Sequence, residues 1–382
     1  MKIVCATSVL FGKEAFSTLG EVELVPEREI SSEHLVDADA LITRSKVKVN
    51  HALLAGTKVR FVGTATAGFD HIDVEDLEER RVTWKAARGC NANSVAEYFV
   101  SAMLCLSRRH NFTLEGKRLG VIGVGEVGSR VVQKARLLGM RVIQNDPPKK
   151  AATGDAKLVT VKEVLANSDI VTLHTPLTTR GAYATNRMCE FKFFQQIKPG
   201  SIFINASRGE IAQTEAILPA MECGRVALTV LDVWEDEPAC PLPLLQKASI
   251  GTPHIAGYSF EGRAEGTQMI YREACQFFGQ QAKWTWKEFV SDPEPINIHT
   301  EGRPREEVLQ EVVSQAYDIE MDDYAFRTYL SEDPTERTNR FRKLRLEYPE
   351  RREFNAFEVR VDNQLGETSA VLAKLGFRVK RV

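Results

Sequence analysis

One stretch constrains the fold of this chain more than any other: residues 117–147, KRLGVIGVGEVGSRVVQKARLLGMRVIQNDP. Residues 119–122 form a short apolar run of strand character, and Gly123-Val124-Gly125-Glu126-Val127-Gly128 follows at once. Val127, Val131, Val132, Ala135 and Leu138 then recur at helical spacing. Gly139 ends that helix, residues 140–144 make a second apolar strand, and Asp146 stands at its tip. The order is strand, glycine turn, helix, strand.

Each part has a physical task. Gly123 permits the tight turn, Gly125 lets backbone approach a pyrophosphate, and Gly128 lets the helix pack close to the strands. Unpaired N–H groups at the helix start, with the helix dipole, favour phosphates. Asp146 lies about twenty residues beyond Gly128, where an acid binds a ribose 2′-hydroxyl. A carboxylate there repels a 2′-phosphate, so NAD is expected over NADP, with Lys149 and Lys150 close by. A bare GxGxxG also fits a glycine turn in an unrelated α/β fold. Here both strands, the helix and the acid are in register, which favours a dinucleotide.

At 382 residues the chain is long enough for two or three domains. It is 43% hydrophobic and 27% charged, so a large core is available. A net charge of −2 makes no electrostatic case for nucleic acid. No apolar run approaches the roughly 18 residues of a membrane span, and the N-terminus lacks a signal-peptide apolar region. The seven cysteines are scattered with no CxxC, which suggests neither a metal site nor a disulfide framework, and a reducing cytoplasm is expected.

Residues 1–90 alternate short strands (2–6, 22–25, 40–43, 59–63, 82–84) with helical patterns, as a parallel α/β domain does. Residues 91–109 read as one long amphipathic helix leading into the glycine unit. Beyond Asp146, strands are expected at 170–174, 201–205, 226–231 and 249–251, with helices at 161–166, 187–196 and 214–223. A helix over 259–279 leads back to the first domain. From Ser291 the sequence SDPEPINIHTEGRPREE reads as a linker. It is followed by helices at 306–315, 335–347 and 365–375 and strands at 358–362 and 378–380. The expected domains are 1–92 with 256–290, then 93–255, then 291–382.

Three segments sit at or just past expected strand ends, where open α/β sheets bind ligands. They are Asn205-Ala206-Ser207-Arg208-Gly209, residues 231–238 (LDVWEDEP) and residues 252–258 (TPHIAGY). With the glycine motif before them, their order and spacing resemble the arginine, glutamate and histidine motifs of the D-specific 2-hydroxyacid dehydrogenases. Residues 65–73, ATAGFDHID, resemble that family's substrate loop. The resemblance implies an oxidoreductase using NAD. His254 would be the acid–base group, since hydroxyl oxidation needs a base that titrates near neutrality. Glu237 would hold its other ring nitrogen and favour the imidazolium. Arg208 would grip the substrate carboxylate and polarise the forming carbonyl. Family positions that contact the cofactor match Gly123, Gly125, Glu126, Val127, Gly128, Asp146, Thr175, Ala206, Ser207, Arg208, Asp232 and Gly257. His71 and His174 read as structural, and no metal is implied.

Further stretches resemble one branch of that family: RSKVKVN (44–50), GCNANSVAEY (89–98), NDPPK (145–149), HIAGYSFEGRAEGT (254–267) and FRKLRLEYPERREF (341–354). That branch implies a small phosphorylated 2-hydroxy acid as substrate, bound through Ser45, Thr66, Gly68 and Tyr258, with Arg44 a further candidate. The last stretch resembles the branch's extra dimerisation domain, so a homodimer is expected. Arg345 is the candidate tail arginine for reaching a phosphate in a partner subunit. The first strand departs from the branch, running on into CATSVLFG. The expected fold class is α/β: a Rossmann-type NAD-binding domain, a flavodoxin-like substrate domain and a small C-terminal α+β dimerisation domain. The rival readings are another 2-hydroxyacid dehydrogenase, such as a phosphoglycerate dehydrogenase or a glyoxylate/hydroxypyruvate reductase, and an NAD-sensing binding protein with little turnover.

Overall fold

The computed structural model describes residues 1–328, 330–362 and 366–381. The chain forms two compact units, residues 1–91 with 258–291 and residues 92–257 with 292–382.

The first unit is built on strands β1 (Lys2–Ala6), β2 (Glu21–Val25), β3 (Ala40–Thr43), β4 (Phe61–Thr64) and β5 (Thr83–Ala86). They pair in parallel in the order β2-β1-β3-β4-β5, the flavodoxin-like order. The central strands are buried along their whole length, as expected of a parallel sheet covered on both faces. Phe16, Phe61, Tyr271 and Trp284 pack on one face, and Leu35, Leu41, Val62 and Leu77 on the other. The helix Phe260–Phe277 closes the first face. It approaches so near that a Cβ at Gly63 would lie 2.3 Å from Ile270 Cγ2.

The second unit contains β6 (Arg118–Ile122), β7 (Arg141–Asn145), β8 (Ile170–Leu173), β9 (Ser201–Asn205), β10 (Val226–Leu231) and β11 (Ile250–Gly251). All pair in parallel in the order β11-β10-β9-β8-β6-β7. A single parallel bridge joins Gln144 to Leu158, extending the β7 edge. The winding reverses at β6, so the crevice beyond the carboxyl ends of β6 and β8 is a topological switch point, the usual place for a dinucleotide.

The tail adds β12 (Ile296–Ile298), β13 (Glu358–Val361) and β14 (Arg378–Arg381), again parallel. β12 falls inside the stretch read above as a linker. Its Ile296 and Ile298 are buried although Pro293 and Pro295 precede them, because β13 supplies the hydrogen-bonding partner. The helix Ile319–Arg327 was also not foreseen. The expected helix over 365–375 is observed as Glu367–Leu375, and residue 365 lies outside the described residues.

The helix Ala92–Arg109 differs from expectation. It is buried almost all round instead of on one face. The helices Glu126–Leu137, Arg305–Ala316 and Ile319–Arg327 all pack against it, and a helix so enclosed has no solvent face to keep polar. The tail also shares the core of the nucleotide-binding sheet. Phe326 stacks edge-on against Trp234 at 5.8 Å and against Phe341 at 5.9 Å. Each buried phenylalanine contributes about 1.5–3 kcal/mol by removal from water.

Candidate active site

β6 runs straight into the glycine turn. Gly123 has φ +88°, and a Cβ there would lie 2.6 Å from the His174 carbonyl oxygen at the end of β8. A Cβ at Gly128 would lie 1.9 Å from the Gly123 carbonyl oxygen, so only glycine lets the helix Glu126–Leu137 start this close to the turn. Over Gly125, by contrast, a Cβ would meet nothing within 4 Å, which leaves open the face a pyrophosphate needs.

Asp146 caps the helix Pro147–Thr153 by accepting the Lys149 amide at 3.0 Å, and its other oxygen accepts the Val124 amide at 2.9 Å. The end of β7 is thereby tied to the glycine turn. Lys149 donates its ammonium to the Val124 carbonyl at 3.0 Å, so that charge is committed to the same turn. Thr175 Oγ1, just past β8, is buried without a hydrogen-bond partner. A buried, unsatisfied hydroxyl beside an open glycine turn fits a bound dinucleotide. His174 is shielded beside Thr175: Nε2 meets Thr172 Oγ1 at 3.0 Å, Nδ1 is buried without a hydrogen-bond partner, and burial pushes the pKa down to about 3.

β9 ends at Asn205, whose side chain builds the next turn. Asn205 Oδ1 accepts the Ser207 amide and hydroxyl at 3.1 and 2.8 Å, and Nδ2 donates to the Arg208 carbonyl at 3.0 Å. Gly209 then presses on the Trp234 backbone, where a Cβ would lie 1.9 Å from its carbonyl oxygen. The turn carrying Arg208 and the loop carrying Glu237 are thus locked together.

Glu237 Oε1 accepts the Trp234 amide at 2.8 Å, and Oε2 meets His254 Nδ1 at 2.8 Å. Burial pushes the Glu237 carboxyl up. The His254 charge and hydrogen bond, the Trp234 amide and the nearby Arg345 outweigh it and hold the pKa below the usual carboxylate value. A carboxylate at Nδ1 keeps a proton there and leaves Nε2 as the basic nitrogen. His254 has φ +58°, in the left-handed region. Its amide donates to the Asp232 carbonyl at 2.7 Å. The Asp232 carboxylate accepts Thr252 Oγ1, the Ile255 amide and the Ala256 amide at 2.7, 2.7 and 2.9 Å. Burial pushes the Asp232 carboxyl up, against the pull of His254 and of these donors.

In the first unit, Thr66 donates to the Gly68 carbonyl at 2.8 Å and meets the Thr64 hydroxyl at 2.7 Å, and that hydroxyl meets His71 Nε2 at 3.0 Å. Burial pushes the His71 imidazole down, in keeping with a structural role. Ser45 is exposed two residues beyond β3. The Tyr258 ring lies near two guanidinium groups, Arg44 at 5.4 Å and Arg263 at 5.3 Å. Arg263 was not foreseen, although it follows the histidine motif in EGRAEGT. Nor were the tail residues Asp323, Arg327 and Arg337, which hold the backbone between Glu237 and Gly257 and carry no motif of their own; Arg351, which holds it too, lies within the 341–354 stretch quoted above, where this contact was not foreseen.

Residues 100–256 match the D-isomer specific 2-hydroxyacid dehydrogenase, NAD binding domain. Residues 289–376 match a domain of unknown function, DUF3410. An erythronate-4-phosphate dehydrogenase of Photorhabdus laumondii is 38% identical over all of both chains. One from Cronobacter sakazakii is 41% identical over 99% of this chain and 98% of its own. The chain belongs to the family of erythronate-4-phosphate dehydrogenases, among the D-isomer specific 2-hydroxyacid dehydrogenases. Solved structures share the fold. The 3-phosphoglycerate dehydrogenase of Entamoeba histolytica with NAD+ bound is 25% identical, covers 75% of this chain and 98% of its own, and gives a TM-score of 0.63. The D-lactate dehydrogenase of Aquifex aeolicus with NAD and lactic acid is 24% identical over 72% of this chain and 95% of its own, with a TM-score of 0.60. The cofactor is NAD, in agreement with the glycine turn and Asp146. Among the described residues no helix is long and apolar enough to cross a membrane.

Proposed function

We propose that this protein oxidises 4-phospho-D-erythronate to 2-oxo-3-hydroxy-4-phosphobutanoate with NAD, a step in making pyridoxal 5′-phosphate. The observation that carries the reading is the Glu237–His254 pair at 2.8 Å, on a loop locked to the Arg208 turn, which lies at the same carboxyl edge of the sheet as the dinucleotide turn. Arg208 binds the substrate carboxylate and the C2 oxygen. His254 Nε2 takes the C2 hydroxyl proton while Glu237 stabilises the imidazolium. Bound NAD supplies the acceptor for the C2 hydride. Thr175, Ala206, Ser207, Asp232 and Gly257 are assigned to the cofactor with the glycine turn, and Ser45, Thr66, Gly68 and Tyr258 to the substrate. We further assign a homodimer with the tail at its interface, because the exposed Met321, Tyr324 and Leu346 all lie on tail helices, and a cytoplasmic location, because the seven cysteines are scattered with no CxxC.

A substrate panel followed by NADH absorbance tests the reading. Turnover of 4-phosphoerythronate should exceed that of 3-phosphoglycerate and glycerate in kcat/KM by on the order of a hundredfold. Preference for either of the latter moves the protein to another dehydrogenase. Tight NAD binding without turnover of any 2-hydroxy acid makes it an NAD sensor.

A further inference from the structure

The backbone between Glu237 and Gly257 carries the acid–base pair, and residues of the tail hold its peptide groups. Arg337 Nε donates to the carbonyls of Ala239 and Cys240 at 3.3 and 3.2 Å. Arg327 donates to those of Leu245 and Ala248 at 2.8 and 2.6 Å. Asp323 accepts the Gly251 amide at 2.7 Å. Arg351 Nη1 donates to the Ala256 carbonyl at 3.0 Å, with that of Ile255 at 3.5 Å, and Nη2 donates to the Ser94 carbonyl at 2.7 Å.

Arg351 stands apart from the other two arginines. It is 5% exposed, and its guanidinium lies 3.7 Å from the Tyr317 ring centre. Burying a cation is costly unless partners are well placed. Here the cation and a buried anion hold the peptide groups of the same two residues. Asp232 accepts the amides of Ile255 and Ala256, and Arg351 faces the carbonyls of the same two residues. The backbone that follows His254 is therefore gripped from both sides. His254 itself holds φ +58°. For a residue with a Cβ this backbone is strained and persists only where the surroundings over-determine it.

We propose that Arg351 is a positioning residue: with Asp232 it clamps the backbone at Ile255 and Ala256, so that His254 keeps the left-handed backbone that aims Nδ1 at Glu237. The tail then serves the reaction through the histidine, in addition to packing on the nucleotide-binding sheet. The inference rests on His254 being the acid–base group.

The test is Arg351→Lys. Lysine keeps the positive charge near the buried Glu97 and the half-buried Asp322, but a single ammonium cannot bridge the Ala256 and Ser94 carbonyls as the guanidinium fork does. The variant should stay folded and bind NAD within about twofold of the parent, while kcat falls roughly 10- to 100-fold, the cost of misplacing a catalytic group by about 1 Å. KM for the hydroxy acid should change far less than kcat. The pH–rate profile should change shape, because the groups facing His254 are Glu237 and Asp232, with Arg345 acting through Glu237. The low-field proton signal of His254 Nδ1–H should move or broaden. A kcat within twofold of the parent, or a loss that tracks only the folded fraction with an unchanged profile and proton signal, overturns the proposal. If the lysine variant does not fold, Tyr317→Leu removes the ring under the guanidinium and should shift the same readouts in the same direction; unchanged readouts there overturn it too. His254→Asn tests the assignment of His254: kcat should fall by roughly 10²–10⁴-fold, and a variant within about fivefold of the parent removes that role. The variant-to-parent ratio on whichever 2-hydroxy acid is turned over tests Arg351, and the proton signal tests it without any turnover.

Discussion

Glu237→Gln isolates what the carboxylate does for the histidine. The two Glu237 oxygens engage two nitrogens, the Trp234 amide and His254 Nδ1, each at 2.8 Å. Glutamine puts one oxygen and one NH2 in their place. If its oxygen stays on Trp234, the NH2 faces Nδ1, and the ring must carry its proton on Nε2, where the substrate hydroxyl needs a base. If the oxygen turns to Nδ1, two N–H groups confront each other at Trp234. The first arrangement satisfies both contacts but holds the ring in the tautomer that cannot act as the base; the second leaves the shielded Trp234 amide unsatisfied, at about 1–3 kcal/mol, or roughly 5- to 150-fold in rate. The variant also removes the negative charge opposite the imidazolium formed as the hydroxyl proton transfers. The expectation is a kcat lower by on the order of a hundredfold, with NAD affinity within about twofold, because no Glu237 oxygen is bonded to the glycine turn. Initial rates from NADH absorbance and NAD affinity from fluorescence quenching give both numbers. A kcat within about twofold of the parent, or equal losses in kcat and NAD affinity, would refute the reasoning.

Two further expectations follow from the nucleotide end. Asp146→Ala removes the carboxylate assigned to the ribose and frees the amides of Val124 and Lys149; NAD should weaken and the preference over NADP shrink by about tenfold or more, whereas an unchanged preference in paired fluorescence titrations removes Asp146 from that role. His174 has its pKa pushed from 6.5 down to about 3 by burial, so the unfolded chain takes up a proton there before the folded one does. Its contribution to stability is intact above pH 6.5 and is lost as the pH falls from 6.5 towards about 3. Thermal melts from pH 7.5 to 5 should therefore fall more steeply for the parent than for His174→Gln, and parallel curves would contradict the assignment.

Much of this architecture could be read in advance because the signals are local. Alternating apolar runs place the strands of both large sheets to within a few residues, and Gly123, Gly125 and Gly128 mark the switch point between β6 and β8. Arg208, Glu237 and His254 are each announced by a short motif just past the strand or loop that carries it. The misreadings share one cause. Residues 296–298 follow a proline-rich run and pattern as linker, yet they become a buried strand because β13, distant in sequence, offers its edge. The long helix reads as amphipathic, yet three other helices enclose it.

The chain's own order of residues determined the parallel sheets and the glycine turn with Asp146 beyond it, since periodicity and turn chemistry act over a few neighbouring residues; Arg208, Glu237 and His254 were singled out by the resemblance of their motifs to a family. Only the folded arrangement decided that the tail braces the histidine loop. A backbone carbonyl looks the same at every position, so nothing in the letters around Arg351 says which carbonyl, about a hundred residues away, its guanidinium will meet.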